Sequence, residues 1–472
     1  MNLNNVIPSS LIACAIGGFL VTNPAAFSWA GESKGGPVNV LLMTADNLGF
    51  GDLRCYGNKV MKTPNLDRLA AQGVRCTDLY SASPTCTVSR ASLLSGRYPQ
   101  RNGLNHQLGK EENRSGIGLR HSERLLPEFL RQRGYATACF GKWNIGFAKG
   151  SRPTERGFDE FLGHRSGNMD YYTHVYNRVH DMYRGTQPAH IEGYSTDLFA
   201  DAACEFMRRH AEKPFFVYLP FNAPHYPNPG SKAPGEPCVW QAPDKAFAAY
   251  GYSPGTQDEQ KRYRAVVTAL DTAVGRVLAQ LDSLGLAENT LVIFFSDNGA
   301  FMRKGAGLGC ASNGRLRTEG LKLYDGNIRV PAMVRWPGKL PARTVCSEML
   351  VHMDFFAMTL RAAGAETELD REIDGRDPTA TLAGKNDSPH KALFWGYRKA
   401  RAMREGAYKL VSPGKGKPWE LYNLERDIGE SSNLASRKPE LVEKMGKSHQ
   451  KWLAALTGAS LETVTTDSSK ER

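Results

Sequence analysis

Short unbroken apolar runs alternate along this chain with longer stretches in which apolar residues recur every three or four positions. That pattern predicts buried strands separated by amphipathic helices. The strand-like runs are Val38 to Thr44, Tyr135 to Phe140, Pro214 to Leu219 and Leu291 to Phe295. A helix is expected after Thr63, which stands as N-cap before Pro64, and others over Leu125 to Arg131 and Ser195 to Arg209. The longest helical spacing runs through Tyr263, Val266, Leu270, Val274, Val277, Leu281 and Leu284 and reads as packing against a sheet. Beyond a polar, turn-rich join at Gly384 to Lys391, the pattern changes. Four short runs beginning at Ala392, Arg401, Tyr408 and Glu420 read as antiparallel strands, with a hairpin turn at Glu405-Gly406. A helix from Pro439 to Leu456 would cover them, and the polar tail after it would fray.

The strand-like runs end in polar residues that carry chemistry. Asp46-Asn47 follows the first run, Lys142 and Asn144 the second, His225 the third and Asp297-Asn298 the fourth. In open α/β sheets ligands gather at the carboxyl ends of strands. Two acid-amide pairs far apart in sequence make an oxygen-only site suited to a hard cation. Cys86 lies in the stretch Ser83-Pro84-Thr85-Cys86-Thr87-Val88-Ser89-Arg90-Ala91-Ser92-Leu93-Leu94-Ser95-Gly96-Arg97. Its thiol sits at the expected start of a helix, where free N–H groups welcome an anion.

That stretch resembles the sulfatase signature Cys-x-Pro-Ser-Arg-x-x-Leu-Leu-x-Gly-Arg, and family-like phrases follow in order from about Val38 to Ala435. They include Gly141-Lys142-Trp143-Asn144-Ile145-Gly146, Ala223-Pro224-His225, Asp297-Asn298-Gly299 and the segment from Leu316 to Pro331. The resemblance implies a mixed, largely parallel central sheet flanked by helices, as in the alkaline phosphatase superfamily, with a smaller C-terminal α+β subdomain. It divides the chain into a signal peptide (1–30), a catalytic domain (31–384) and a C-terminal subdomain (385–472). It implies that Cys86 is oxidised to formylglycine by a formylglycine-generating enzyme, and that the hydrated aldehyde attacks sulfur. A thiol or hydroxyl without such activation is a poor nucleophile for a sulfate ester. Arg90 would hold the hydrate, and Asp46, Asn47, Cys86 (as formylglycine), Asp297 and Asn298 would hold calcium. Lys142, Asn144, His225 and Lys322 would bind sulfate, with His225 as the acid for the leaving alcohol.

Four positions depart from the family pattern: Asn47 for Asp, Val88 for Pro or Ala, Asn144 for His, and Gly320 where a sulfate-binding Lys falls. Lys322 lies two residues later and reaches the same face only if the segment is a strand. One anion is lost beside the metal, while one cation and one imidazole are lost on the sulfate side. These changes offset one another, and the site reads as retuned.

Length and composition fit this picture. The 472 residues allow one large and one smaller unit, with 41% hydrophobic and 23% charged residues as in ordinary globular proteins. The net charge of +12 suits a polyanionic partner such as a sulfated glycan, and no nucleic-acid-binding motif is present. The apolar run Leu11 to Val21, followed by Ser28-Trp29-Ala30, reads as a cleaved export signal too short to span a membrane. A periplasmic or secreted protein is therefore expected. Of nine cysteines, at 14, 55, 76, 86, 139, 204, 238, 310 and 346, one or two pairs suit an exported protein, without an assignable pairing. Two other functions share these features: a phosphodiesterase or phosphonate hydrolase of the same superfamily, and a non-catalytic sulfated-glycan binder.

Overall fold

The structure, a computed structural model, describes residues 37–109, 117–227, 240–301, 309–366 and 369–457. The expected export signal, its cleavage site and the polar C-terminal tail lie outside the described residues.

The strands, in chain order, are β1 (Asn39–Ala45), β2 (Val74–Tyr80), β3 (Ala136–Lys142), β4 (Glu160–His164), β5 (Val175–Tyr176), β6 (Val179–His180), β7 (Met182–Arg184) and β8 (Gln187–Pro188). They continue with β9 (Phe215–Pro220), β10 (Thr290–Ser296), β11 (Arg329–Arg335), β12 (Thr344–Cys346), β13 (Leu350–Val351), β14 (Ala392–Tyr397), β15 (Ala400–Glu405), β16 (Tyr408–Ser412) and β17 (Glu420–Asn423). The large sheet runs β12-β2-β11-β10-β1-β9-β3-β4-β7-β8, with β13 also on β2, and β14 to β17 form a separate antiparallel sheet. From β10 through β1, β9 and β3 to β4 every pairing is parallel. On either side the pairings with β11 and β7 are antiparallel. The expected mixed, largely parallel sheet is therefore present.

The unbroken apolar runs have a direct cause: both faces of the sheet are covered. Leu41, Met43 and Ala45 of β1 join one core with the helices Pro64–Gln72, Ser195–Arg209 and Glu259–Ser283. Val40 and Leu42 join the other, with the helices Leu126–Gln132 and Asp354–Ala362. The small sheet packs on the large one through Leu393, Trp395, Tyr397, Val411 and Tyr422 against Tyr80, Val88 and Ile328. Its other face buries Met403, Leu410 and Leu421 under Met445 of the helix Pro439–Thr457.

Parallel strands share a direction, so β1, β3, β9 and β10 deliver their carboxyl ends to one edge. The two antiparallel steps through β11 bring the end of β2 to that edge as well. Each predicted site residue lies within a few positions of such an end, except Arg90, which the helix after β2 carries, and Lys322.

Candidate active site

At the end of β1, Asp46 is fully buried and Asn47 takes a left-handed conformation (φ 60°), which Asn tolerates better than most residues. The strand ends are laced together: Asp297 N donates to Ala45 O at 3.0 Å, and Asp46 N donates to Ala223 O at 3.0 Å. Gly299 closes the turn after Asp297-Asn298, where a Cβ would lie 2.0 Å from Gly326 O. No other residue fits there.

Cys86 opens the helix Cys86–Ser95, all of whose residues are buried. Its Sγ, an Asp46 carboxylate oxygen and a His225 ring nitrogen all lie within 4.8 Å of one another. Arg90, one helical turn on, donates from Nε (2.9 Å) and Nη2 (2.6 Å) to Asp297 Oδ2, and from Nη1 to Lys142 O (2.9 Å). Lys142 Nζ lies 2.5 Å from Asp46 Oδ2. His225 is placed by its backbone: Tyr171 Oη donates to His225 O at 2.7 Å. His225 Nδ1 donates to Tyr226 O at 2.8 Å, which leaves Nε2 without a hydrogen bond to that carbonyl.

Charge and burial set the protonation states. Burial works to raise the Asp46 carboxyl, but Lys142, His225 and Arg90 together hold it below its ordinary value. Asp297 moves the other way, because burial and the charge of Asp46 outweigh Arg90 and Lys142. Burial, followed by Asp46, pushes the Cys86 thiol up to about 12. At neutral pH it is a protonated thiol, not a nucleophile. Burial lowers His225, partly opposed by Asp46.

The oxygen donors fit a hard cation. Asp46 Oδ1 and Asn298 Oδ1 are buried without a hydrogen-bond partner, and Asn47 Oδ1 is 2.5 Å from Asn298 Nδ2. Unpaired buried oxygens converging from two strand ends are the arrangement that calcium uses. Asn144 is fully buried with φ 54°, and neither end of its amide has a partner.

Lys322 is not brought to this cluster. Its segment forms irregular turns, so the two-residue offset does not preserve a face, and its ammonium pairs with Glu319. Asp159 accepts from Thr137 N at 2.9 Å at the amino end of β3, away from the site. Asp170, Tyr171 and His174 are buried, while Tyr172 (43% exposed) and Thr173 between them face solvent. Among the described residues no cysteine is paired. His164, at the end of β4, went unnoticed in the sequence; it is fully buried, with Lys142, Arg90 and Asp46 acting on its ring. Its one signal was its place at the end of an apolar run, Phe161-Leu162-Gly163.

Comparison with known proteins identifies the family. The sulfatase family model matches residues 38–365. The chain belongs to the sulfatase family. A second model, N-sulphoglucosamine sulphohydrolase, C-terminal, matches residues 321–456. The chain is 34% identical to N-acetylgalactosamine-6-sulfatase of Sus scrofa over 88% of its own length and 79% of that protein's. It is also 34% identical to steryl-sulfatase of Mus musculus, over 76% of its length and 67% of that protein's. Among solved structures, Ps i-CgsB in complex with k-i-k-neocarrahexaose superposes with a TM-score of 0.79 at 28% identity, over 89% of this chain and 93% of that one. This sulfatase is a sulfuric ester hydrolase. Among its described residues no helix is long and apolar enough to cross a membrane.

Proposed function

We propose that this sulfatase is an exported enzyme that removes sulfate from a sulfated carbohydrate, with Cys86 converted to formylglycine and calcium at the strand ends. The observation that carries the reading is the convergence of buried Asp46 and Cys86 with half-buried His225, with Arg90 and Lys142 bonded around them. Relatives named N-acetylgalactosamine-6-sulfatase and a structural neighbour in complex with k-i-k-neocarrahexaose support a carbohydrate. The net charge of +12 favours an anionic one.

In this reading Asp46, Asn47, Asp297 and Asn298 hold the calcium ion, which supplies charge stabilisation for the sulfate oxygens. Formylglycine, as its hydrate, supplies the oxygen nucleophile that the protonated Cys86 thiol cannot. Lys142 and Asn144 line the sulfate side, one giving charge and the other hydrogen bonds. His225 donates through Nδ1 to Tyr226 O, so Nε2 is the nitrogen that passes a proton to the departing alcohol. Burial keeps the ring neutral before substrate arrives, and an incoming sulfate anion favours its protonation. Arg90 does its work at Asp297 and at the end of β3, fixing two strand ends at once.

The deciding experiment is peptide mass spectrometry across Cys86, on protein made with a formylglycine-generating enzyme, with sulfate release from sulfated saccharides measured on the same preparation. An aldehyde peptide together with sulfate release and its loss on chelation, restored by calcium, is the expected result. An unmodified thiol with binding but no turnover would make the protein a glycan binder.

A further inference from the structure

His164 ends β4 directly opposite Lys142 at the end of β3. In a parallel pair, residues in register leave the sheet on the same face, so the imidazole and the Lys142 stem are neighbours. The ring is fully buried and stacked on Phe199, with centroids 6.3 Å apart and planes 18° from parallel. Neither ring nitrogen closes a hydrogen bond of ordinary length, although the Ser166 backbone lies where it favours an N–H on its side. Two unfilled nitrogens on one buried ring are rare in folded proteins and call for a partner. Burial, Lys142 and Arg90 hold the ring well below the ordinary histidine range, against the pull of Asp46. It is neutral, with one N–H and one lone pair.

We propose that His164 is a positioning residue for Lys142: its lone pair, unfilled in the structure as it stands, accepts a hydrogen bond from the Lys142 ammonium when sulfate binds and fixes the direction in which that ammonium meets sulfate. The inference rests on Lys142 being a sulfate-binding group. An ammonium has three N–H donors, and Asp46 takes one of them at 2.5 Å. Asp46 is also a cation ligand in the proposed site, so it cannot hold the lysine alone. A neutral acceptor beside the ammonium adds direction without cancelling its charge. A carboxylate at position 164 would neutralise it, and an aliphatic group would leave it free to swing.

The test compares the full chain with His164→Phe, which keeps the stack on Phe199 but has no lone pair. His164→Leu serves as a second such variant should the first not fold, and His164→Gln returns an acceptor. Lys142→Met and the double variant Lys142→Met/His164→Phe complete the set. Two quantities are read: equilibrium binding of inorganic sulfate, and kcat and KM for release of sulfate from an aryl sulfate. His164→Phe is expected to weaken sulfate binding and kcat/KM about tenfold, the scale of one hydrogen bond to a charged group. His164→Gln should stay within about threefold of the parent, and the double variant should be no worse than Lys142→Met alone. A purely structural role would move melting temperature and leave Gln and Phe equally impaired. Parent-like binding by His164→Phe, equal loss in Phe and Gln, or additivity in the double variant would each overturn the proposal. A parent protein that binds sulfate but releases none would sink the hydrolytic reading, and the binding measurements would still decide His164. A parent that does neither overturns both.

Discussion

Arg90 joins two strand ends that are far apart in the chain. Its Nε and Nη2 meet Asp297, its Nη1 meets the Lys142 carbonyl, and Asp46 lies 3.8 Å from Nη2. All of these groups are buried, so removing the guanidinium leaves Asp297 beside Asp46 with a smaller share of positive charge. Breaking a buried pair by deleting one partner costs about 3–5 kcal/mol. Arg90→Ala should therefore lose about that much in urea unfolding and lose sulfate release as well. Arg90→Lys should recover part of the stability, because charge returns without the fork that reaches both partners. An Arg90→Ala protein as stable as the parent would show that Asp297 is held by other means. On the opposite side of the cluster, Tyr171 Oη fixes the His225 backbone and not its ring, which leaves the imidazole to respond to substrate.

At the scale of elements, the turn after β1 depends on Asp52. It accepts from Gly49 N (2.9 Å), Ser312 N (2.9 Å) and Tyr263 Oη (2.6 Å), tying the turn to the helix Glu259–Ser283 and to the segment near Asn313. Burial outweighs those three donors and raises its carboxyl from 3.8 to about 7. The folded protein thus holds a proton that the unfolded chain releases. Stability should fall as pH rises between these values and level off above about 7, by about 1.4 kcal/mol per pH unit at most. Asp52→Asn should lack that slope whatever its absolute stability, as read from melting temperatures across this range. An unchanged slope would place the titration elsewhere. The main strands and helices were legible in the sequence because each is a buried apolar run or a helical stripe of apolar residues. The candidate cluster was legible because most of its members follow such runs. His164 was not, since one histidine after an apolar run carries no spacing to mark it. The expected reach of Lys322 failed for a related reason: strand geometry was assumed for a segment whose Gly320 (φ 55°) turns the chain.

At the scale of the whole molecule, the two sheets are joined by a buried chain of charges as well as by apolar packing. Lys409 on β16 reaches Asp325 Oδ1 (2.6 Å) and Glu430 Oε1 (2.9 Å), while Arg329 on β11 reaches Asp78 Oδ2 (2.7 Å) and Asp325 Oδ2 (3.3 Å). Arg404 on β15 pairs with Asp78 from the other sheet. Lys409→Met would leave Asp325 and Glu430 facing one another, at a cost of about 3–5 kcal/mol. A lower melting temperature is the expected outcome, and an unshifted one would mean that apolar packing alone seats the small sheet. Asn327, beside Asp325, accepts at its carbonyl from Gly299 N, so the seating of this sheet extends to the turn that carries Asp297-Asn298. The burial of Cys86 also has a consequence in time. In the finished fold the thiol is 7% exposed at the head of a helix buried along its whole length, where no second protein can grip it. Part of the cluster around it is late material, for Arg90 and its partner Asp297 are 207 residues apart. At ordinary synthesis rates that distance is roughly 10–40 s of translation. For that interval the segment around Cys86 exists without the strand that leads to Asp297, so in the proposed reading a formylglycine-generating enzyme would act on the unfinished chain.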